Sequence, residues 1–134
     1  MIVLDTNVVS ELMHLSPDEA VQRWIAAQSP DDLYISSITV AELLTGVLLL
    51  PQGRRRDMIE TRVRHVIEQF GPVVLAFGKE AAEIYAALAA RAPLLDAFDG
   101  QVAAIAHAHG AAVATRNIKH FLPLGIELVD PWAG

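Results

Sequence analysis

Cysteine is absent from this chain of 134 residues, and long apolar runs are absent as well. Without cysteine the chain can form neither a disulfide nor a thiolate-bound zinc site, which fits a reducing compartment. No apolar run approaches the roughly 20 residues that a membrane helix needs. The N-terminus has no basic region before an apolar stretch, and Asp5 interrupts the candidate segment, so no signal peptide is expected. We therefore expect a cytoplasmic protein with no membrane partner.

Positive charge is also scarce, with ten Lys and Arg against sixteen Asp and Glu and a net charge of −6. This balance argues at first against a nucleic-acid partner. Half of the basic residues, however, fall in one eleven-residue stretch: Arg54, Arg55, Arg56, Arg62 and Arg64. Several acids are candidates for binding metal ions, whose charge would cancel theirs. The net charge therefore leaves nucleic-acid binding open.

The residues that are present indicate a folded α/β protein. Hydrophobic residues make up 53% of the chain and charged residues 19%, a balance typical of a packed globular domain. Apolar segments predict strands at residues 2–4, 33–35, 73–75, 112–115 and 126–129, with helices between them. Gly71 and Pro72 are predicted to end the helix that begins at Arg54. This alternation calls for a parallel sheet covered by helices on both faces, in one domain of residues 1–134.

Three carboxylates stand next to apolar sequence, where a charge is costly unless it is paired or bound to metal. Asp5 follows the first strand, Glu42 lies in the first turns of the helix after the second strand, and Asp99 begins the helix before strand 112–115. Because parallel strands end at the same edge of a sheet, these carboxylates are expected to share one pocket with the polar segment Thr115-Arg116-Asn117 that ends strand 112–115. Oxygen ligands of this kind suit Mg²⁺ or Mn²⁺.

Five segments carry a resemblance to a known family, in the right order and across nearly the whole chain. They read LDTNVVSE (4–11), ISSITVAEL (35–43), FDGQVAAIA (98–106), ATRNIKHF (114–121) and ELVDPW (127–132). In these segments the chain resembles PIN-domain ribonucleases of the VapC type, the toxin halves of bacterial toxin–antitoxin pairs, and the related FitB branch. The resemblance implies a three-layer α/β/α sandwich with a five-stranded, mainly parallel sheet.

The resemblance also implies an activity, the hydrolysis of RNA phosphodiester bonds by a metal-activated water with Mg²⁺ or Mn²⁺ as cofactor. Asp5, Glu42 and Asp99 match the family's catalytic, metal-binding acids, with Glu42 either a ligand or the residue that orients the water. Many relatives carry a further acid where this chain has Asn117 or His120. The alternative is therefore a catalytically weak PIN-like module that binds RNA or protein.

Further residues are assigned supporting roles. The side chains predicted to hold the carboxylates or a bound water are Thr6, Asn7, Ser37, Thr115 and Asn117. Arg116 would bind a phosphate or pair with an acid, while Arg54 and Arg55 are either RNA contacts or a solvated helix start. The implied partners are a VapB-like antitoxin that inserts a basic side chain into the acidic pocket, and a second copy in a homodimer or a larger toxin–antitoxin assembly.

Several of these residues also have ordinary structural interpretations. Asp5 could simply cap the next helix, and Glu42 could complement a helix dipole. Asp96 competes with Asp99 for the functional role but is the better cap. His107 and His109 are two residues apart on a helix and point in different directions, which argues against a shared metal ion. The aliphatic run at 47–50 is either core or a subunit or partner contact.

Overall fold

A parallel sheet lies at the centre of the computed structural model, which describes residues 1–70 and 73–134. Its four strands are β1 (Ile2–Leu4), β2 (Leu33–Tyr34), β3 (Ala112–Ala114) and β4 (Leu128–Val129), in the spatial order β2-β1-β3-β4. Residues 2, 3 and 4 of β1 pair with residues 112, 113 and 114 of β3. The strand that leads into Asp5 is therefore an inner strand, with β2 on one side and β3 on the other.

Helices cover both faces of this sheet. Within the described residues they are α1 (Thr6–Leu12), α2 (Glu19–Ala26), α3 (Ser37–Leu48), α4 (Arg54–Gln69), α5 (Lys79–Arg91), α6 (Ala97–Ala108) and α7 (Ile118–Phe121). Val3 and Val113 belong to a buried cluster with α5, α6 and α7, whereas Leu4 and Ala114 belong to a second cluster with α1, α3 and α4. Successive strand residues thus face opposite helical layers. The predicted α/β fold with its α/β/α layers is confirmed.

The predicted number of strands is wrong by one. Residues 73–75 were expected to form a strand, but they contribute only a single parallel bridge between Leu75 and Ser36. Ser36 is already the N-cap of α3, its side chain accepting a hydrogen bond from the Thr39 N–H. The segment that pairs with residues 73–75 therefore becomes helical directly after this bridge. A longer run of strand pairing cannot form. The helix end predicted at Gly71 and Pro72 lies outside the described residues.

A close approach between helices positions the start of α6. Gly100 is buried, and a Cβ atom there would lie 2.7 Å from Leu95 Cδ2 and 2.9 Å from Tyr85 Cε1. At Gly46 of α3, by contrast, an added Cβ atom would have no heavy atom of another part of the protein within 4 Å. Only glycine allows α6 to lie this near its neighbours without displacing them, and the residue before it is Asp99. Among the described residues, no helix is both long and apolar enough to cross a bilayer.

Candidate active site

An open pocket of about 400 Å³ lies at the carboxyl edge of the sheet. It is lined by Asp5, Glu42 and Asp99, which come from three different parts of the chain. The predicted convergence of these carboxylates is therefore what the structure shows. Asn117 and Arg116, at the end of β3, line the same pocket.

Asp5 is the most buried of the three acids, with 4% of its surface exposed. It is the N-cap of α1, and its Oδ1 accepts a hydrogen bond from the Thr6 N–H at 2.8 Å. Its Oδ2 accepts from the Thr115 hydroxyl at 2.8 Å and from the Asn7 amide at 3.3 Å. Burial raises the pKa of the Asp5 carboxyl, the hydrogen bonds partly offset this, and the charge of Asp99 adds to the rise. The capping role and the place in the pocket are thus compatible.

Glu42 is held by a relay of two hydroxyl groups. Thr6 Oγ1 donates to Glu42 Oε1 at 2.9 Å and lies 3.1 Å from Thr39 Oγ1. Because one hydroxyl carries a single proton, Thr39 serves as the donor to Thr6. Partial burial raises the pKa of Glu42, and the charges of Asp5 and Asp99 act in the same direction.

Asp99 sits in the first turn of α6, and Asp96 is the N-cap of that helix. Asp96 Oδ1 accepts a hydrogen bond from the Asp99 N–H at 3.0 Å, as expected for a cap. The Asp99 side chain is turned to the pocket, and its Oδ2 lies 3.0 Å from His120 Nδ1. Burial raises the pKa of Asp99, whereas the hydrogen bond from His120 lowers it. His120, one of the two positions where the family resemblance implies a further acid, therefore carries an imidazole that contacts Asp99.

Thr115 connects the ends of β1 and β3 from within the protein interior. Its hydroxyl donates to Asp5 and accepts hydrogen bonds from the Asn117 N–H at 3.0 Å and the Asn7 amide at 3.3 Å. Asn7 in turn accepts from the Arg116 N–H at 3.2 Å. Both threonines predicted to support the carboxylates, Thr6 and Thr115, do contact them.

Three predicted residues are not brought to this pocket. Ser37 accepts a hydrogen bond from the Phe77 N–H at 3.2 Å instead of contacting a carboxylate. Its place in the network is taken by Thr39, three residues before Glu42 and hence on the same helix face. Arg54 and Arg55 line a separate shallow depression formed by residues 50–56. His107 and His109, at the end of α6, are exposed and do not line the acidic pocket.

One wall of the pocket consists of residues that were not predicted from the sequence to lie there. It is formed by Glu11, His14 and Trp132, with Arg116 above the Trp132 ring. Glu11 follows Asn7 by four residues on α1, so helical spacing alone could have placed it on the pocket side. Nothing in the local sequence links Trp132 to Glu11, because they meet only through the docking of β4 next to β3.

The oxygen atoms of the side chains that line the pocket suit a hard divalent cation. Carboxylate, hydroxyl and amide oxygens are the ligands that Mg²⁺ and Mn²⁺ prefer. A bound cation would favour the charged forms of three acids whose pKa values are raised chiefly by burial. Over residues 1–70 and 73–134, no three acidic or histidine side chains are grouped tightly enough to form a ready-made metal site.

Comparison with known proteins identifies the family to which this fold and pocket belong. The PIN domain matches residues 2–122. The chain belongs to the PIN-domain family. A VapC ribonuclease, Y4jK of Sinorhizobium fredii, is 44% identical over 98% of both proteins. The crystal structure of FitAcB from Neisseria gonorrhoeae superposes with a TM-score of 0.90 at 37% identity, covering 98% of this chain and 99% of that one.

A further structural relative of this PIN domain is a toxin–antitoxin complex from Klebsiella pneumoniae. It superposes with a TM-score of 0.74 at 26% identity and covers 98% of each chain. The resemblance to VapC- and FitB-type PIN domains that was inferred from five sequence segments is therefore confirmed.

Proposed function

We propose that this PIN domain is the toxin of a toxin–antitoxin pair and cuts RNA with the help of Mg²⁺ or Mn²⁺. The observation that carries the proposal is the meeting of Asp5, Glu42 and Asp99 in one open pocket of a chain 44% identical to a VapC ribonuclease. When bound, the cation lowers the pKa of water and neutralises charge on phosphoryl oxygens. The RNA substrate and the lack of cysteine support a cytoplasmic site of action.

Within this proposal the protein's own side chains hold and orient the reactants. Asp5 and Asp99 are the ligands for the cation. Glu42 is either a third ligand or the base that orients the attacking water and accepts its proton, a task for which a raised carboxyl pKa is suited. Thr6 holds Glu42 Oε1, and Thr115 holds Asp5 Oδ2, so both carboxylates keep their positions as substrate enters.

The decisive variant is Asp5→Asn. It should lower Mg²⁺-dependent cleavage of a labelled single-stranded RNA by at least about 100-fold, since a group that takes part directly in the reaction is lost. Asp31→Asn, which neutralises an exposed acid outside the pocket, is the matched control and should cut like the wild type. Circular dichroism and thermal unfolding check that both variants fold.

Two results would contradict the proposal. Cleavage that survives EDTA would argue against the cation, and cleavage that survives Asp5→Asn would argue against the assigned carboxylates. RNA binding without any cleavage would favour the alternative, a catalytically weak PIN-like binding module. That alternative is motivated by Asn117 and His120, which stand where many relatives carry a further acid.

We also propose an antitoxin partner and a homodimer. The aliphatic run at 47–50 is divided in the structure: Val47 is 3% exposed and packs in the core, whereas Leu49 is 80% exposed. Leu49 and Phe98 line an apolar groove that reaches Glu42. This groove next to an acidic pocket suits an antitoxin segment that carries both an apolar and a basic side chain. A monodisperse monomer at micromolar concentration in light scattering would contradict the homodimer.

A further inference from the structure

Arg116 lies on the face of Trp132 at the mouth of the acidic pocket. The guanidinium carbon is 4.9 Å from the centre of the indole ring, within the range of a cation–π contact. A long hydrogen bond of 3.4 Å from the indole N–H to Glu11 Oε1 orients the edge of the ring. The Trp132 N–H also donates to Asp130 Oδ1 at 2.9 Å, which orders the turn after β4. Trp132 thus offers a braced surface for the guanidinium.

The sheet order sets where this cation stands relative to the carboxylates. Asp5 follows β1, Arg116 follows the neighbouring strand β3, and Trp132 follows β4 beyond it. Neighbouring strands are roughly 4.8 Å apart, so Arg116 is displaced from Asp5 by about one strand. Glu42 comes from the opposite direction, after β2. By strand order, Arg116 therefore lies on the β4 side of Asp5, whereas Glu42 lies on the β2 side.

Charge makes this position significant. Arg116 is the one Lys or Arg among the described side chains that line the pocket, whereas Asp5, Glu11, Glu42 and Asp99 all carry carboxylates. No carboxylate oxygen of the described residues lies within 4.0 Å of its guanidinium. Among the described residues Arg116 thus forms no ion pair with an acid, one of the two roles left open by the sequence, although Asp130 lines a neighbouring depression with it. Guanidinium donors match phosphate oxygens in geometry as well as charge.

We propose that Arg116, positioned by Trp132, binds the RNA phosphate adjacent to the one that is cut. Arg116 contacts the substrate, and Trp132 is a positioning residue that acts through it. The inference rests on the proposed RNA hydrolysis, which it deepens by adding a phosphate subsite next to the carboxylates. It assigns a role to the one Lys or Arg among the described side chains that line the acidic pocket.

The subsite has a kinetic signature. Arg116→Gln should raise KM for RNA by about tenfold and leave kcat nearly unchanged, because a contact outside the reacting phosphate stabilises substrate and transition state alike. Trp132→Leu should have the same effect, since the guanidinium loses its surface. Trp132→Phe keeps an aromatic face but loses the hydrogen bond to Glu11, so it should bind RNA more tightly than Trp132→Leu and less tightly than the wild type. Both Trp132 variants lack the indole N–H, so their difference isolates the ring face.

A binding experiment without metal tests the contact independently of cleavage. A fluorescein-labelled, unstructured RNA of twelve nucleotides is titrated by anisotropy in EDTA at several salt concentrations. Loss of one phosphate contact should reduce the slope of log Kd against log salt by about 0.7. Arg91→Gln removes an exposed charge of α5 outside the pocket and is the matched control, expected to retain the wild-type slope.

The outcomes separate this inference from the proposed function. An Arg116→Gln protein with wild-type KM and wild-type salt slope overturns the subsite, even if the wild type cuts RNA well. A variant that loses kcat alone also overturns it. Conversely, wild-type protein that binds RNA through Arg116 but cuts none supports the phosphate contact of Arg116 and refutes the hydrolysis. Wild-type protein that binds no RNA refutes the subsite. Whether that protein hydrolyses RNA is then decided by the cleavage assay alone.

Discussion

Replacing Thr115 with valine removes one hydroxyl from the interior and keeps the shape of the side chain. That hydroxyl donates to Asp5 Oδ2 at 2.8 Å and is fully buried. Loss of a hydrogen bond to a charged group costs about 1.5–3 kcal/mol. For a chain of this length such a loss lowers Tm by roughly 5–12 °C. We therefore expect Thr115→Val to be clearly destabilised at pH 7.

The same change should depend on pH. The hydrogen bond from Thr115 lowers the pKa of Asp5, against the larger effect of burial, because it favours the charged carboxylate. In the variant the folded-state pKa of Asp5 therefore lies higher than in the wild type. The stability advantage of the wild type is fully present when Asp5 is charged and shrinks as pH falls through the pKa of Asp5.

Urea unfolding in EDTA at pH 7 and at about pH 4 measures both effects. Thr61→Val is the matched control: it lies on an exposed face of α4, and its hydroxyl donates only to the carbonyl of Asp57. The control should change the free energy of unfolding by no more than about 0.5 kcal/mol. Equal losses in the two variants, or a Thr115→Val loss that is the same at both pH values, would refute the reasoning.

Three further predictions concern the same edge of the sheet. Gly100→Ala should lower the free energy of unfolding in urea by about 1–2 kcal/mol, because the added Cβ overpacks the contacts of α6 with Leu95 and Tyr85. Gly46→Ala should raise it by up to about 1 kcal/mol, because the site is open and alanine favours the helix. Equal effects of the two substitutions would contradict the close approach at Gly100. Burial raises the pKa of Glu42, so ionisation of its carboxyl destabilises the metal-free fold as pH rises through that pKa. Glu42→Gln should therefore raise Tm in EDTA at pH 7. A lower Tm would show that other groups compensate the charge of Glu42. If the protein binds a divalent cation as proposed, Asn117→Asp adds a carboxylate to the pocket and should enlarge the Tm increase on addition of Mn²⁺. An unchanged increase would show that residue 117 does not contact the cation.

The layers of the fold and the central carboxylates could be predicted because their signals are local. An apolar triplet followed by Asp5 marks the end of a buried strand. Because parallel strands end at one edge of the sheet, the carboxylates that follow them are expected to meet there. The segment at 73–75 is as apolar as a strand, yet its pairing depends on how far its neighbour stays extended. Ser36 ends that neighbour by capping α3, a competition that apolar patterning does not report.

The surroundings of the carboxylates were predictable only in part. Thr39 and Glu42 are three residues apart, so helical spacing favours Thr39 over Ser37 as the hydroxyl beside Glu42. The contact between Trp132 and Glu11 joins residues 121 positions apart and follows from the place of β4 beside β3. The cation–π contact of Arg116 depends on that same docking. No pattern along the chain indicates it.

The bond between Thr115 and Asp5 joins positions 110 residues apart and has a consequence for synthesis. A ribosome that has delivered only the first hundred residues presents a carboxylate without its buried hydroxyl partner, and a β1 without the β3 edge against which it pairs. Premature termination anywhere in that span yields a fragment that cannot assemble the pocket. The acidic pocket is thus complete only after this late strand has emerged from the ribosome.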